Sequence, residues 1–154
     1  MKTTRKYGKK ADLALDMWVK LARAAATFDR LSARDIESYD LTGPQFAALE
    51  ALGHLGAMPI GDLGKKMLVT GGNMTVVVDN LEKEGFVFRR ASEKDRRSVV
   101  VDLTEKGKTL FDRIFPKHAT FIAQVASVLS EKEQQELARL LKKLGTTCRK
   151  SVLN

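Results

Sequence analysis

Residues 70–75 combine short polar side chains with two glycines in a way that suits contact with a phosphate or a base edge. The side chains of Thr70, Asn73 and Thr75 are short hydrogen-bond donors and acceptors. Gly71 and Gly72 are poor helix formers, but they let a backbone approach a phosphate where the N-terminal amides of a helix point. The alternative interpretation is a capped helix start that carries polar residues by chance. By itself this segment does not decide between the two.

A basic segment follows at residues 89–97, where five of nine residues are lysine or arginine. An arginine held by a nearby carboxylate loses less orientational freedom when it enters the narrow, negatively charged minor groove of DNA. Asp95 is placed to hold Arg97 in this way. The alternative is an ordinary solvated hairpin. The basic segment directly follows the helix that begins with these polar residues, and this position favours DNA contact. The candidate residues are Arg89, Arg90, Lys94, Asp95, Arg96 and Arg97.

Four helices are expected before this basic segment. The first covers about 11–38 on a 3.6-residue apolar period. Thr42 and Gln45 form a capping box for the second helix, Pro59 opens a short third helix, and Thr70 caps a fourth. The expected buried positions of the second to fourth helices are Phe46, Leu49, Leu52 and Leu55, then Ile60, Leu63 and Met67, then Met74, Val77, Val78 and Leu81.

The segments after the fourth helix, which closes at Gly85, predict a hairpin and two further helices. The β-prone runs 86–90 and 98–103 flank the basic segment. A short helix, a second helix and a hairpin in this order predict a winged helix-turn-helix. In that fold one helix enters the major groove of DNA and the hairpin reaches phosphates or the minor groove. Thr104 should cap a fifth helix that Pro116 bends or interrupts, and Ser130 should begin a sixth.

Two apolar faces exceed what one small core can cover. One lies on the long first helix, and the other on the last helix, where leucines recur at helical spacing. We expect them to form a dimer interface with candidate residues Leu13, Met17, Leu137, Leu140, Leu141 and Leu144. The predicted fold is therefore mainly α with a small β-hairpin wing. A disordered basic arm is expected at 1–10, a dimerisation region at 11–40 and 105–154, and a DNA-binding lobe at 41–104.

Composition restricts the class of protein further. The net charge of +8 favours a polyanionic partner, although five basic residues lie in 1–10 and four in 142–154. Cys148 is the only cysteine, and His54 and His118 show no metal-ligand spacing. No nucleophile-and-base arrangement or phosphate-binding glycine loop is present, so neither catalysis nor a metal or cofactor is expected. No apolar run is long enough to span a bilayer and no secretory signal begins the sequence, which predicts a cytoplasmic location.

Several of these segments resemble the MarR family of transcription regulators. The resemblance covers about residues 11–149 and rests on the patterns V-D-x-L-E-x-x-G, D-R-R and L-T-x-x-G in combination. These patterns stand here as Val78-Asp79-Asn80-Leu81-Glu82-Lys83-Glu84-Gly85, Asp95-Arg96-Arg97 and Leu103-Thr104-Glu105-Lys106-Gly107, and Asn73-Met74-Thr75 precedes them.

The resemblance implies a homodimeric repressor that binds a pseudo-palindromic site on double-stranded DNA. Its two recognition helices would enter successive major grooves about 10 bp apart, and Asp95 would orient Arg97 in the minor groove. Val76 stands where many relatives carry arginine, which predicts fewer base contacts. The position of Cys148 does not suit a redox sensor. The alternative from another class is an architectural or protein-interaction scaffold that does not read DNA sequence.

The resemblance also implies release from DNA by a small phenolic or quinone-like ligand. Its site would lie where the dimerisation region meets the DNA-binding lobe. Candidate lining residues are Trp18, Arg23, Phe46, His54 and Met58. For each of them, core packing or a place at a helix rim is the alternative.

Overall fold

The fold comprises six helices and a small antiparallel sheet among the residues that the computed structural model describes, 6–67, 71–92 and 98–152. Side chains are described for all of these except 71, 72 and 147–152. The elements in chain order are α1 (Lys9–Glu37), α2 (Gly43–Leu55), β1 (Met58–Pro59), α3 (Ile60–Met67), α4 (Gly71–Lys83), β2 (Val87–Ala91), β3 (Val99–Leu103), α5 (Glu105–Ala126) and α6 (Glu131–Val152). Among the described residues no helix is long and apolar enough to cross a membrane.

The helix ends follow the capping chemistry that the sequence predicts. Thr42 and Gln45 form a reciprocal capping box: the Gln45 amide oxygen accepts from the Thr42 backbone N–H at 2.9 Å, and the Gln45 N–H donates to the Thr42 hydroxyl at 3.4 Å. Ser130 and Glu133 form a second box at α6. Gly85 follows α4 with φ of 74°, a left-handed conformation that costs glycine little. The predicted cap Thr70 lies outside the described residues.

The start of α1 differs from the prediction. The helix begins at Lys9, so the prediction of a disordered arm over 1–10 is wrong for its last two residues. The carboxylate of Asp12 accepts a hydrogen bond from the Tyr7 backbone N–H at 3.0 Å. A negative charge in the first turn also stabilises the N-terminal end of a helix. These two effects account for the earlier start, which the basic composition of the segment conceals.

The sheet has three strands rather than the predicted two. The strand order is β1-β3-β2, and Val101 of the central strand β3 lies opposite Met58 of β1 on one side and Arg89 of β2 on the other. Pro59 therefore belongs to a strand and does not open α3, which begins at Ile60. Since β3 pairs on both sides, the hairpin is attached to the segment between α2 and α3.

The chain divides into two compact units, one up to His118 and one from Ala119 onward. In the first unit, α2, α3, α4 and the sheet enclose the core. Its fully buried side chains are Leu49, Leu52, Leu63, Met74, Leu81, Val78, Val87 and Val101. Leu55, predicted to be buried, is 59% exposed because α2 ends there, and Ile60, Met67 and Val77 are only partly buried. In the second unit, α5 ends at Ala126 and α6 follows after a short connection.

Helix α5 passes through Pro116 without an interruption. The interruption that the proline suggested is therefore absent. Its first turn is capped as predicted, because the Thr104 hydroxyl accepts from the Gly107 N–H at 3.0 Å.

The apolar residues predicted to form a dimer interface are mostly exposed within one chain. Leu13 is 70% exposed, and Trp18, on the same helix, is 60% exposed. On α6, Leu137, Leu140 and Leu141 are also exposed, whereas Leu144 is half-buried. A single chain thus leaves two apolar helix faces in contact with solvent.

Candidate nucleic-acid interface

Helix α4 has one buried side and one exposed side, and the exposed side carries the polar residues. Met74, Val78 and Leu81 recur at i, i+4 and i+7 and are fully buried. This packing fixes the rotation of α4 about its axis. Asn73 and Thr75 consequently face solvent in the first two turns. The polar side chains are therefore presented outward by the packing of the apolar ones.

The predicted recognition residues lie at the N-terminal end of this helix. Gly71 and Gly72 are its first two residues, while Thr70 lies outside the described residues. Val76, which stands where many relatives carry arginine, is 58% exposed beside Thr75. An exposed methyl group can contact the methyl group of thymine. Asn80 is also exposed and was missed, although its spacing of seven residues from Asn73 places both on one helix face.

The hairpin places its two strands directly after this helix. Val87 pairs with Leu103 and Ala91 with Val99, and the Ser92 N–H donates to the Ser98 carbonyl at 2.9 Å. This bond closes the described part of the hairpin. The predicted wing residues Lys94, Asp95, Arg96 and Arg97 lie outside the described residues, so the pairing of Asp95 with Arg97 stays a prediction.

Arg89, on β2, contacts α4. Its guanidinium forms ion pairs with both Asp79 and Glu82 of α4. Burial lowers the pKa of Arg89, but the hydrogen bonds and charges of these two carboxylates outweigh that effect and raise it. The next residue, Arg90, is exposed. The DNA contact predicted for Arg89 stays a prediction. The i, i+3 spacing of Asp79 and Glu82 on α4 is the signal in the sequence that could have indicated these ion pairs.

A second set of contacts joins the end of α4, the start of β2 and the start of α5. The Thr104 hydroxyl donates to the Gly85 carbonyl at 2.7 Å, and the Thr104 N–H donates to the Phe86 carbonyl at 3.0 Å. The ammonium of Lys106 lies 4.5 Å from the centroid of the Phe86 ring and donates to the Glu84 carbonyl. These contacts fix where α4 ends relative to the first turns of α5.

Comparison with known proteins identifies the family. Residues 41–99 match the model of the MarR family. Over 132 residues the chain is 39% identical to the uncharacterised HTH-type transcriptional regulator YkoM and 38% identical to the HTH-type transcriptional regulator MhqR, both from Bacillus subtilis. Each alignment covers 86% of this chain, and 86% of YkoM and 91% of MhqR. The chain belongs to the MarR family.

The resemblance found in the sequence is thereby confirmed, and this MarR-family chain is a helix-turn-helix transcription regulator. Its fold matches a crystal structure of a mutant MarR from E. coli complexed with operator DNA. The TM-score is 0.76 at 23% identity, covering 89% of this chain and 99% of the other. The predicted winged helix-turn-helix fold is confirmed by this likeness.

The residues predicted to line a ligand pocket in this MarR-family chain fall into three different environments. Phe46 and Met58 are buried in the core, and the Phe46 ring packs against His118 with centroids 4.6 Å apart. Trp18 and Arg23 are exposed on α1. For Phe46 and Met58, core packing is therefore what the structure shows.

His54, another of the predicted ligand residues, borders a groove. Its ring lies edge-on to Phe115, with centroids 4.4 Å apart, and to Phe111 at 5.1 Å. The groove has a volume of about 360 Å³ and is lined by Ala47, Glu50, Ala51, His54, Leu55, Lys66 and Met67. Among the described residues, no group of three histidine, cysteine or acidic side chains is arranged to hold a metal ion.

Proposed function

We propose that this MarR-family regulator binds a pseudo-palindromic DNA operator as a homodimer and represses transcription from it. The observation that carries the proposal is the exposed polar face of α4. Because Met74, Val78 and Leu81 are fully buried, Asn73 and Thr75 are directed outward. A helix with this arrangement can insert its N-terminal residues into the major groove.

The hairpin and the glycines supply contacts to the DNA backbone in this proposal. Gly71 and Gly72 place the N-terminal amides of α4 where a phosphate can approach, and the positive end of the helix dipole favours that anion. The basic tip, including Arg96 and Arg97, would reach the adjacent minor groove with Asp95 orienting Arg97. Arg90 lies on the strand that leads to this tip.

The exposed apolar faces of α1 and α6 support the homodimer. Large apolar side chains such as Leu13, Trp18 and Leu140 are exposed within one chain, and a second chain would remove them from water. A two-fold dimer presents two copies of α4 in opposite directions, which matches an inverted repeat in the DNA. We assign Met17, Leu137, Leu141 and Leu144 to the same interface.

Selection of bound duplexes from a random library, at near-physiological salt, tests sequence-specific binding. We expect enrichment of an inverted repeat whose half-sites are about one helical turn apart. Salt-sensitive binding without enrichment would instead identify an architectural protein that binds DNA without sequence preference. Absence of any binding would refute the DNA-binding part of the proposal.

Substitution of Asn73 tests the assignment of the recognition face. Asn73→Ala should weaken binding to the selected operator by about 1–3 kcal/mol while changing the affinity for random DNA much less. Gln124→Ala removes an exposed amide on α5 and serves as the matched control. Equal losses of affinity for operator and random DNA would contradict a base-reading role for Asn73.

We further propose that a small phenolic or quinone-like ligand releases the regulator from its operator. The groove beside His54 combines apolar walls with Lys66, whose ammonium can pair with a phenolate, and with an imidazole that can donate to oxygen. A ligand would act by favouring one spacing of the two recognition helices over another. If a panel of phenols and quinones changes neither DNA affinity nor the melting temperature, this ligand class is excluded.

A further inference from the structure

The side chain of Arg89 connects the first strand of the hairpin to three successive turns of the recognition helix. Its guanidinium contacts the carboxylates of Asp79 and Glu82 and lies 3.5 Å from the Thr75 carbonyl oxygen. Its backbone N–H also donates to the Glu82 carboxylate at 3.1 Å. Residues 75, 79 and 82 stand at i, i+4 and i+7 and therefore form one stripe along α4. A single residue thus ties β2 to most of the length of the helix.

The charges of this cluster do not suit a contact with DNA phosphates. One guanidinium faces two carboxylates, so the three side chains together carry a net charge of −1. The Arg89 side chain is 23% exposed, and its planar set of donors is directed at the two acids. Because the two carboxylates outnumber the guanidinium, the cluster has no net positive charge to attract a phosphate.

We propose that Arg89 is a positioning residue, which sets the orientation of the wing relative to the recognition helix and does not itself bind DNA. This inference rests on the proposed function. The ion pairs bridge an element that reads the major groove and an element that reaches the neighbouring backbone, so their geometry determines whether both engage one site. Loss of the bridge loosens the wing and also leaves two carboxylates unpaired beside the phosphates.

A mutant cycle separates positioning from direct contact. Arg89→Lys keeps the positive charge, but an ammonium cannot reproduce the planar fork that engages both carboxylates. We expect it to weaken operator binding about 10-fold, within the range of coupling in one hydrogen-bonded network. In an Asp79→Asn, Glu82→Gln background the same change should have almost no further effect. If the losses are additive, or if Arg89→Lys leaves the affinity of the folded protein unchanged, the proposal is refuted.

Two controls make the outcome specific to Arg89. Arg90→Lys changes the neighbouring arginine, which alternates to the other side of β2, and its effect should be additive with neutralisation of the two carboxylates. The slope of log Kd against log salt should stay the same in Arg89→Gln, which removes the positive charge, whereas a lost phosphate contact lowers it by about 0.9 per contact. A lowered slope would therefore assign Arg89 to the DNA contact surface instead.

The experiment also requires a titration of the wild-type protein and a test that each variant is folded. If the wild type does not bind the selected operator in the same titration, the proposed function fails; if it binds and the cycle is additive, only the positioning role fails. Circular dichroism at the assay temperature establishes that each variant is folded. Glu82→Gln, which removes one of the two acids, is the milder variant should Arg89→Lys fail to fold, and it should weaken binding in the same direction.

Discussion

Gly107 occupies a position where a side chain has no room, so its replacement by alanine should destabilise the protein. A Cβ atom at this position would lie 2.0 Å from the carbonyl oxygen of Phe86 and 2.9 Å from its carbonyl carbon. Carbon–oxygen contacts of this kind normally lie at roughly 3.3 Å or more. Because backbone stands on both sides, α5 and the start of β2 must separate by more than an ångström.

The free-energy cost follows from the hydrogen bonds that this separation breaks. The Thr104 N–H donates to the Phe86 carbonyl at 3.0 Å, and the Thr104 hydroxyl donates to the Gly85 carbonyl at 2.7 Å. Loss of each bond costs about 1–3 kcal/mol when its partner remains poorly solvated. Alanine returns at most about 1 kcal/mol through its higher helix propensity. We therefore expect Gly107→Ala to lower the free energy of unfolding by about 1–5 kcal/mol.

Urea unfolding followed by circular dichroism measures this change, at one fixed protein concentration because a dimer's stability depends on it. Gly61→Ala is the matched control. It lies in α3 with no atom within 4 Å of the added carbon, and it should be neutral or stabilise the protein by no more than about 1 kcal/mol. If Gly107→Ala unfolds at the same urea concentration as the wild type, or at a higher one, the steric reasoning is wrong.

Two further predictions concern pH dependence and assembly. Burial, followed by the charge and hydrogen bond of Asp35, raises the pKa of Tyr39 above its usual 10.0, so the folded state holds this proton more tightly. The stability that this shift contributes is fully present below pH 10 and is lost as pH rises through the pKa of Tyr39 in the folded state. Urea unfolding of Tyr39→Phe, measured at a series of pH values, should lack this alkaline loss. If the free energy of unfolding falls equally with pH in Tyr39→Phe and in the wild type, the prediction is wrong. Leu140→Glu should convert the proposed dimer to monomer in analytical ultracentrifugation, whereas Val76→Glu, an equal charge on the proposed DNA face, should remain dimeric and lose DNA binding. A dimeric Leu140→Glu would remove α6 from the interface.

The features that sequence predicted correctly are those set by short-range chemistry. The capping box of Thr42 and Gln45, the left-handed Gly85 and the cap at Thr104 all depend on residues within three or four positions. Strand β1 was missed because Met58 and Pro59 show no alternating pattern. Only their pairing with β3, more than 40 residues later, makes them a strand.

In the candidate site, too, the sequence predicted the features set by local periodicity and not those set by contacts between distant segments. Outward exposure of Asn73 and Thr75 followed from the apolar period of α4, which sequence displays directly. The ion pairs of Arg89 depend on how the chain turns after Gly85, and the buried state of Phe46 depends on its packing against His118. Such contacts are decided by tertiary geometry, so charge and size alone do not predict them.

In α4, different residues hold the helix in place and face solvent, so substitutions should be able to change DNA-binding specificity without changing stability. Asp79, Glu82 and Gly85, which belong to the pattern that identified the family, hold the helix against the hairpin and α5. Asn73 and Val76 are exposed on the same helix. Because surface substitutions away from such contacts usually change stability by less than about 0.5 kcal/mol, exchanges at Asn73 and Val76 should, under the proposed function, alter the DNA sequence that is bound with little loss of stability. Exchanges at the framework positions, in contrast, should alter folding and binding together.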